Sequence, residues 1–287
     1  MNLIKNKYIN YYLLIIFLFS VFNLFEKHTV GNDSTISEWL INYEGGFTKR
    51  GLIGQISIII SNIFKFELRE SILFFQIVII AIYYLLLVNF FSKLRIDKLI
   101  LFTIFSPIFV LYPVAEIEVL ARKEYFIFIF FLIYLLLEKS YLKDIYKITV
   151  LPLSILIWEP VAFFFSFWFL IDFMNDKPSK FFRYCLNSFV KFLPALLLGF
   201  YIAVNPISEI NHLQMTSYLK NNFNENCYMS CALLLNKSSI YDQFYSNFHL
   251  YSFEIFLRYG LIILIGFGPL LILISYLNGN KLNKIFK

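Results

Sequence analysis

The sequence predicts an all-α fold, a polytopic helical membrane protein with about seven or eight membrane segments. Hydrophobic residues make up 59% of the chain and charged residues only 15%, far from the composition of soluble proteins. Several apolar runs are also long enough to cross ~30 Å of hydrocarbon as helices. We expect residues 1–287 to form a single integral membrane domain, because the predicted spans leave no room for a soluble catalytic domain of ~100 residues.

The apolar segments follow one another with short connections. Residues 8–25 predict a first span that is not cleaved, since the sequence after this long run offers no signal-peptidase site. Residues 51–64 would reach only ~21 Å as a helix, so we expect an interfacial helix there, within the first outer loop. Further spans are predicted at residues 71–92, 99–115, 125–137, 193–207 and 259–278.

Residues 148–173 are expected to enter and leave the membrane on the same side, as a hairpin of two half-length helices. The break is predicted near the sequence WEP, because Pro160 disfavours helical geometry for Glu159. This hairpin places most of the lysine-rich and arginine-rich short loops on the side of the N-terminus, as cytoplasmic loops require. A single crossing of these residues would instead put the lysine-rich tail outside.

The resulting orientation gives three outer loops, at about residues 26–70, 116–124 and 208–253, with both termini in the cytoplasm. A bacterial inner membrane is the expected location. The net charge of +6 then reflects loop orientation and the surrounding membrane lipids, and no nucleic-acid partner is expected.

In the third loop, Cys227 and Cys231 would form a local disulfide in an oxidising compartment or remain as two free thiols.

Two of the outer loops carry a cation doublet next to carboxylates. One doublet is Lys49–Arg50, and the other is Arg122–Lys123, which Glu124 follows. Cations on the outer side oppose the usual charge distribution, which indicates an anionic partner such as a lipid phosphate. Arginine can hold phosphate oxygens by two parallel hydrogen bonds, and lysine adds a point charge. Pairing with nearby glutamates or with phospholipid headgroups is the alternative.

Two glycines and one further glutamate complete the predicted site. Gly45 and Gly46 allow backbone conformations that other residues avoid, and they would let a ligand approach the main chain closely. Glu159 lies at the expected hairpin tip, at the membrane boundary, where an ionisable group is costly unless it is paired or solvated. It is therefore either a functional residue or a side chain that water solvates.

The sequence also resembles known membrane proteins. The stretch EWLINYEGGFTKRGLIG (38–54), with ARKE (121–124) and IWEP (157–160), is similar to segments of membrane proteins from bacterial surface-polysaccharide gene clusters. The plan of acidic first and second outer loops, over about residues 1–173, resembles that of C-type (GT-C) membrane glycosyltransferases. The frequent Asp-Glu or His-x-Asp signature of that family is absent from the sequence.

This resemblance implies a polyprenyl-phosphate-linked sugar donor, a glycan acceptor, and an outer-loop carboxylate that activates the acceptor hydroxyl or helps to bind a divalent cation. On this sequence the catalytic carboxylates would be Glu44 or Asp33 in the first loop and Glu124 or Glu116 in the second, with Glu44 preferred as the base. If a divalent cation takes part, its candidate ligands are Asp33, Glu44 and Glu116. Lys49, Arg50, Arg122 and Lys123 would neutralise the lipid phosphate.

Glycosyl transfer in surface-polysaccharide biosynthesis is thus the predicted function. The alternatives are a polysaccharide polymerase of the Wzy kind, and a transporter, flippase or non-catalytic membrane partner. Transporters tend to place charged groups and broken helices near the bilayer midplane and to repeat one half of the fold. Here the charges gather at the outer rim and no repeat is visible, which favours chemistry at the membrane surface.

Overall fold

A computed structural model describes residues 2–30, 34–94, 96, 98–115, 119–176, 178–227, 229–235, 245, 248, 252–261 and 263–264. Within these ranges the fold is helical and contains no β-strand, which confirms the predicted all-α class. Three helices are long and apolar enough to cross a membrane, namely Lys7–His28, Leu68–Lys93 and Phe181–Val204. Most of the predicted last span, 259–278, lies outside the described residues.

Most helices lie close to the apolar runs in the sequence, but the predicted span 193–207 is part of a longer helix that begins at Phe181 and ends at Val204. In chain order the helices are α1 (Asn2–Val30), α2 (Ser34–Leu40), α3 (Gly51–Phe64), α4 (Leu68–Lys93), α5 (Lys98–Ile104), α6 (Tyr112–Ala115), α7 (Glu124–Leu136), α8 (Ser140–Ile157), α9 (Phe165–Asp176), α10 (Phe181–Val204), α11 (Glu209–Phe223) and α12 (Met229–Ala232). A π-helical turn (Pro107–Leu111) joins α5 to α6 and a 3-10 turn (Glu159–Phe164) joins α8 to α9. Both turns have a proline at the start, where the missing amide proton breaks the α-helical pattern.

Helices α1 and α4 run in opposite directions. The end of α1 meets the first half of α4, where His28 Nε2 lies 2.7 Å from Gln76 Oε1. Further along, Phe17 packs against Tyr84 with the ring centroids 6.0 Å apart. Because the residue numbers fall in one helix as they rise in the other, the pair is antiparallel.

The next two passes continue this alternation. The α5–α6 segment runs parallel to α1, since Tyr12 packs against Phe105 and Asn23 donates to the carbonyl of Val114. Helix α7 then runs beside α4 in the same direction as α4, and their ends meet where Lys93 lies 3.7 Å from Glu138. The two ends of the helix bundle are therefore well defined, with Gln76 near one end and Lys93 at the other.

Helices α8 and α9 form an antiparallel pair around the break at Trp158. The backbone of Trp158 is extended, which ends α8, and Lys147 of α8 forms an ion pair with Asp172 of α9. Helix α8 is longer than the predicted half-length helix, because it has 18 residues and begins at Ser140. Residues 138–147 fall between the predicted span 125–137 and the predicted hairpin, but most of them belong to α8. Lys147 is buried in its pair with Asp172, and Asp144 also accepts from Lys191 at 2.7 Å.

The predicted third outer loop, 208–253, contains helix α11. Ser208 caps this helix, because its Oγ accepts from the amide of Asn211, and Asn224 ends it in a left-handed conformation with φ 53°. Beyond it, Cys227 and Cys231 are joined in a disulfide, so of the two alternatives the structure has the bonded one. The disulfide segment packs on α2, where Ser37 Oγ donates to Ser230 Oγ at 2.8 Å.

Candidate functional site

A bidentate ion pair joins the first charged segment to the break between α8 and α9. Arg50 Nε lies 2.8 Å from Glu159 Oε2, and Arg50 Nη2 lies 2.9 Å from Glu159 Oε1. The two side chains are 21% and 25% exposed, so they are partly shielded from water. The sequence predicts that Glu159 is either functional or solvated, and in the structure its carboxylate has an ionic partner 109 positions away.

Glu38 brings the second charged segment into the same cluster. Its Oε1 lies 3.4 Å from Arg50 Nη1 and 3.1 Å from Arg122 Nη2, and its side chain is only 6% exposed. Arg122 Nη2 also lies 3.3 Å from Glu124 Oε1. We call this cluster the charge network, and its members are Glu38, Arg50, Arg122, Lys123, Glu124 and Glu159.

Lys123 lies at the centre of the charge network and is fully buried. Its Nζ donates to the backbone carbonyl of Arg50 at 2.6 Å. Burial lowers the pKa of Lys123 to about 7, although Glu38 and the other nearby carboxylates act in the opposite direction. The amine therefore changes charge near neutral pH, which is unusual for a lysine.

Two residues beside the network hold left-handed backbone conformations. Arg50 has φ 62° and Ala121 has φ 57°, and each costs about 1 kcal/mol for a residue other than glycine. The turn at Ala121 is held from two sides, because its carbonyl accepts from Trp39 Nε1 at 3.1 Å and from Gln76 Nε2 at 3.3 Å. Both donors are buried, so packing of α2 and α4 positions the segment that carries Arg122 to Glu124.

Sequence reasoning did not select Glu38, Trp39 or Gln76 as site residues. Glu38 and Trp39 stand at the start of the stretch EWLINYEGGFTKRGLIG. The sequence shows the charge of Glu38 but not that its side chain is buried. Gln76 is one of two amide side chains in the mostly apolar predicted span 71–92, and it is fully buried. A polar residue in a predicted membrane segment is the signal that singles it out.

Glu44, the preferred base, does not join the charge network. Its Oε1 accepts from Gln55 Nε2 at 2.8 Å, and its amide donates to Asn42 Oδ1 at 2.9 Å. The ion pair that joins the first and second charged segments is Glu38–Arg122, and Lys123 also donates to the backbone carbonyl of Arg50. These contacts bring the two charged segments together, whereas a catalytic role for Glu44 stays a prediction.

Gly45 and Gly46 lie against helix α11. A Cβ atom added at Gly45 would be 1.9 Å from the carbonyl oxygen of Asn211, so only glycine fits there. Gly46 has φ 107°, a conformation that other residues rarely adopt. The close approach predicted for a ligand is thus made by the protein's own α11 backbone, because this helix packs directly on the turn.

The remaining predicted residues contribute less to this cluster. Lys49 is half-buried and forms no ion pair with any residue in the described ranges. Asp33 and Glu116 lie outside the described residues. Among the residues that the structure covers, no group of three or more His, Cys, Asp or Glu side chains is arranged to hold a metal ion, and divalent-cation binding stays a prediction.

Three buried polar atoms of the charge network have no hydrogen-bond partner within the described part of the chain. They are Glu38 Oε2, Glu124 Oε2 and Arg122 Nε. Most buried polar atoms in proteins are paired, so these atoms indicate a place for water or a ligand group. Burial raises the pKa of Glu124, although Arg122 acts against this rise, which makes Glu124 a stronger proton acceptor than an exposed carboxylate.

We expect the stability of the protein to rise with pH between about 7 and 10. In that interval an unfolded chain keeps the proton on Lys123, whereas the folded protein has released it, because the pKa falls from 10.5 to about 7 on folding. The predicted gain is at most about 1.4 kcal/mol per pH unit. Thermal unfolding in detergent measures it, and the charged groups that act on Lys123 are Glu38, Arg50, Glu124 and Glu159.

The matched controls for this pH effect are Lys123→Met and Lys49→Met. Lys123→Met should remove the pH dependence, while Lys49→Met should leave it intact because Lys49 is not buried in the network. An unchanged pH dependence in Lys123→Met would show that another group is responsible.

Comparison with protein-family models, with curated proteins and with solved structures found no match to this chain.

Proposed function

We propose that this chain is a membrane-embedded glycosyltransferase of surface-polysaccharide biosynthesis. It transfers a sugar from a polyprenyl-phosphate-linked donor to a glycan acceptor, at the outer face of a bacterial inner membrane. The charge network carries this proposal, because it gathers three cations and three carboxylates from segments about 40 to 110 positions apart at one end of an apolar bundle. Such a concentration of charge at a membrane boundary marks a functional site by default.

In this proposal the carboxylates and the cations of the site have different roles in the transfer reaction. Glu124 takes the proton of the acceptor hydroxyl while the oxygen of that hydroxyl bonds to the anomeric carbon of the donor sugar. The bond between that carbon and the phosphate oxygen breaks, and the electron pair leaves with the phosphate. Lys49, Arg50 and Arg122 neutralise the charge on the departing lipid phosphate. Glu38 and Glu159 hold the two arginines in place through their ion pairs.

Two features support the outer orientation of this end of the bundle. The disulfide between Cys227 and Cys231 packs on α2, the helix that carries Glu38, and disulfides persist in oxidising compartments outside the cytoplasm. Lysines and arginines concentrate in the segments at the opposite end, as cytoplasmic loops require. Both termini would then be cytoplasmic if the predicted last span crosses the membrane.

We further propose seven passes through the membrane within the described part of the chain. These passes are α1, α4, α5–α6, α7, α8, α9 and α10, in alternating directions, with the predicted span 259–278 as an eighth. Helix α3 would lie along the outer interface, because α1 and α4 run antiparallel and a single crossing between them would make them parallel. The long exposed apolar surfaces of α1, α4 and α10 support this arrangement, since soluble proteins rarely expose such patches.

Cysteine labelling tests the orientation. Phe47→Cys and Ile210→Cys, both at exposed positions near the charge network, should react with an impermeant maleimide in intact cells. Phe182→Cys, exposed at the opposite end, should react only after the membrane is opened. All three variants carry Cys185→Ser, so that the natural free thiol does not contribute. Labelling of Phe182→Cys in intact cells, with protection of the other two, would reverse the orientation.

A transporter or flippase remains the second candidate, because of a buried ion pair between α8 and α9. Lys147 and Asp172 are almost completely buried, and Tyr134 donates to the same carboxylate at 2.5 Å. The pair lies 11 residues from Trp158 along α8, which corresponds to ~17 Å and thus to the middle region of a ~30 Å bilayer. Buried charges at that depth are typical of transport proteins.

Loss of the gene distinguishes the two candidates. Without a transferase, lipid-linked sugars should accumulate in the outer leaflet, where an impermeant oxidant such as periodate reaches them in intact spheroplasts. Without a flippase, they should accumulate in the inner leaflet and stay protected until the membrane is opened. Protected accumulation would contradict the transferase proposal, and so would normal polysaccharide with no accumulation in either leaflet.

A further inference from the structure

A second polar site lies at the far end of α3, away from the charge network. Residues 61–69, at the turn from α3 to α4, form one wall, and residues 221–225, at the end of α11, form the other. The space between them measures about 630 Å³, within the ~300–1,000 Å³ typical of small-molecule sites. Arg69 holds the two walls together, because its Nε and Nη2 each lie 2.8 Å from a carboxylate oxygen of Glu225. We call this site the outer groove.

The side chains of the outer groove are suited to a carbohydrate. Asn62, Asn221 and Asn224 are exposed, and their amide groups have no hydrogen-bond partner among the residues described. Each amide offers donors and an acceptor together, which matches neighbouring hydroxyl groups on a sugar ring. Phe66 is also exposed and stacks on Phe64 with ring centroids 5.9 Å apart, so the groove has a flat apolar surface beside its amides.

The charges of the outer groove indicate a neutral ligand. The guanidinium of Arg69 forms an ion pair with Glu225. The remaining charged side chains in the lining are Lys65 and Glu67, and their charges have opposite signs. The lining therefore carries no net charge, unlike a phosphate site, which concentrates arginine and lysine. A neutral chain of sugars fits this balance, whereas an anionic phospholipid headgroup does not.

The position of the outer groove agrees with an extracytoplasmic glycan. Glu225 stands two residues before Cys227, whose disulfide is of a kind that persists in oxidising compartments, and the proposed function has the polysaccharide assembled on that side. Helix α3 leads from the residue after Arg50 directly to the groove, a distance of ~20 Å over its 14 residues. An extended oligosaccharide with one end at the charge network would therefore reach the groove with sugars several positions back.

We propose that the outer groove binds the glycan acceptor chain through sugars that lie several positions behind its growing end. This inference rests on the proposed function, since the growing end would receive the new sugar at the charge network. Binding far from the reacting bond would let the enzyme recognise the polymer repeat and keep hold of the chain between transfers.

Direct binding to the purified full-length protein in detergent tests this inference without any transfer reaction. The probe is a neutral oligosaccharide of about six sugars, released by mild acid from the surface polysaccharide of the producing strain. Phe66→Trp provides a fluorescent reporter inside the groove. We expect a saturable change in its emission, and at least a tenfold higher Kd when Asn62→Ala and Asn221→Ala are added. Asn187→Ala, an exposed asparagine on α10 outside the groove, should leave the Kd unchanged.

The outcomes separate this inference from the proposed function. Saturable binding that survives in Glu124→Gln, where transfer is expected to fail, supports the groove independently of the chemistry. If the oligosaccharide produces no saturable change while transfer proceeds normally, the groove proposal alone is wrong. A response to phosphatidylglycerol vesicles, with none to the oligosaccharide, would make the groove a lipid-headgroup site and would also overturn the proposal.

Discussion

Glu124→Gln is expected to reduce sugar transfer by about 10²- to 10⁴-fold, the usual loss when a positioned general base is removed. The amide keeps the shape of the side chain but cannot accept the acceptor's proton. Glu124 is suited to this role because its Oε2 is buried without a partner in the described chain, and because burial raises its pKa. The measurement is glycan formed per amount of membrane-inserted protein, in cells that lack the natural gene.

Glu44→Gln and Glu38→Gln are the matched comparisons. Glu44 binds Gln55 outside the charge network, so its amide variant should retain most of the transfer activity. Glu38→Gln should lose less activity than Glu124→Gln, since an amide oxygen can still accept from Arg50 and Arg122. A large loss in Glu44→Gln together with normal output from Glu124→Gln would return the catalytic role to Glu44. Full activity in all three variants would contradict the transferase proposal.

Arg50→Met is expected to destabilise the folded protein by about 2–4 kcal/mol. The substitution leaves Glu38 and Glu159 without their shared cation, and breaking a buried pair costs ~3–5 kcal/mol. We place the loss somewhat lower because Arg50 is 21% exposed and water screens part of its charge. The thermal unfolding midpoint in detergent, with the yield of inserted protein, reports the loss.

A second substitution separates stability from function at this site. Adding Glu159→Met to Arg50→Met removes the carboxylate that had lost its partner, so part of the stability should return. Transfer activity should stay low in the double variant, because Arg50, one of the cations that neutralise the donor phosphate, is absent. A double variant that is both stable and fully active would show that Arg50 serves the fold alone.

The helices of this protein were predictable because membrane helices depend on local composition. The predicted span 71–92 lies within α4, Leu68–Lys93, and the predicted interfacial helix 51–64 has the bounds of α3, Gly51–Phe64. The break near Trp158 was also predictable, since Pro160 restricts the residue before it. Residues 140–147 were misassigned to a loop because their charges argued against a buried helix, and their partners Asp172 and Lys191 lie on other helices.

The sequence by itself determined that this chain forms apolar helices and that its charges concentrate in a few short segments, because both properties are local. Only the tertiary structure decided which charged groups meet. Arg50 pairs with Glu159, 109 positions away, and not with the nearby Glu44, because the fold brings the break after α8 against the start of α3. Likewise the backbone of α11 occupies the space beside Gly45, and the local sequence does not predict this contact. Electrostatic partners depend on distance in space, which hydrophobic periodicity does not encode.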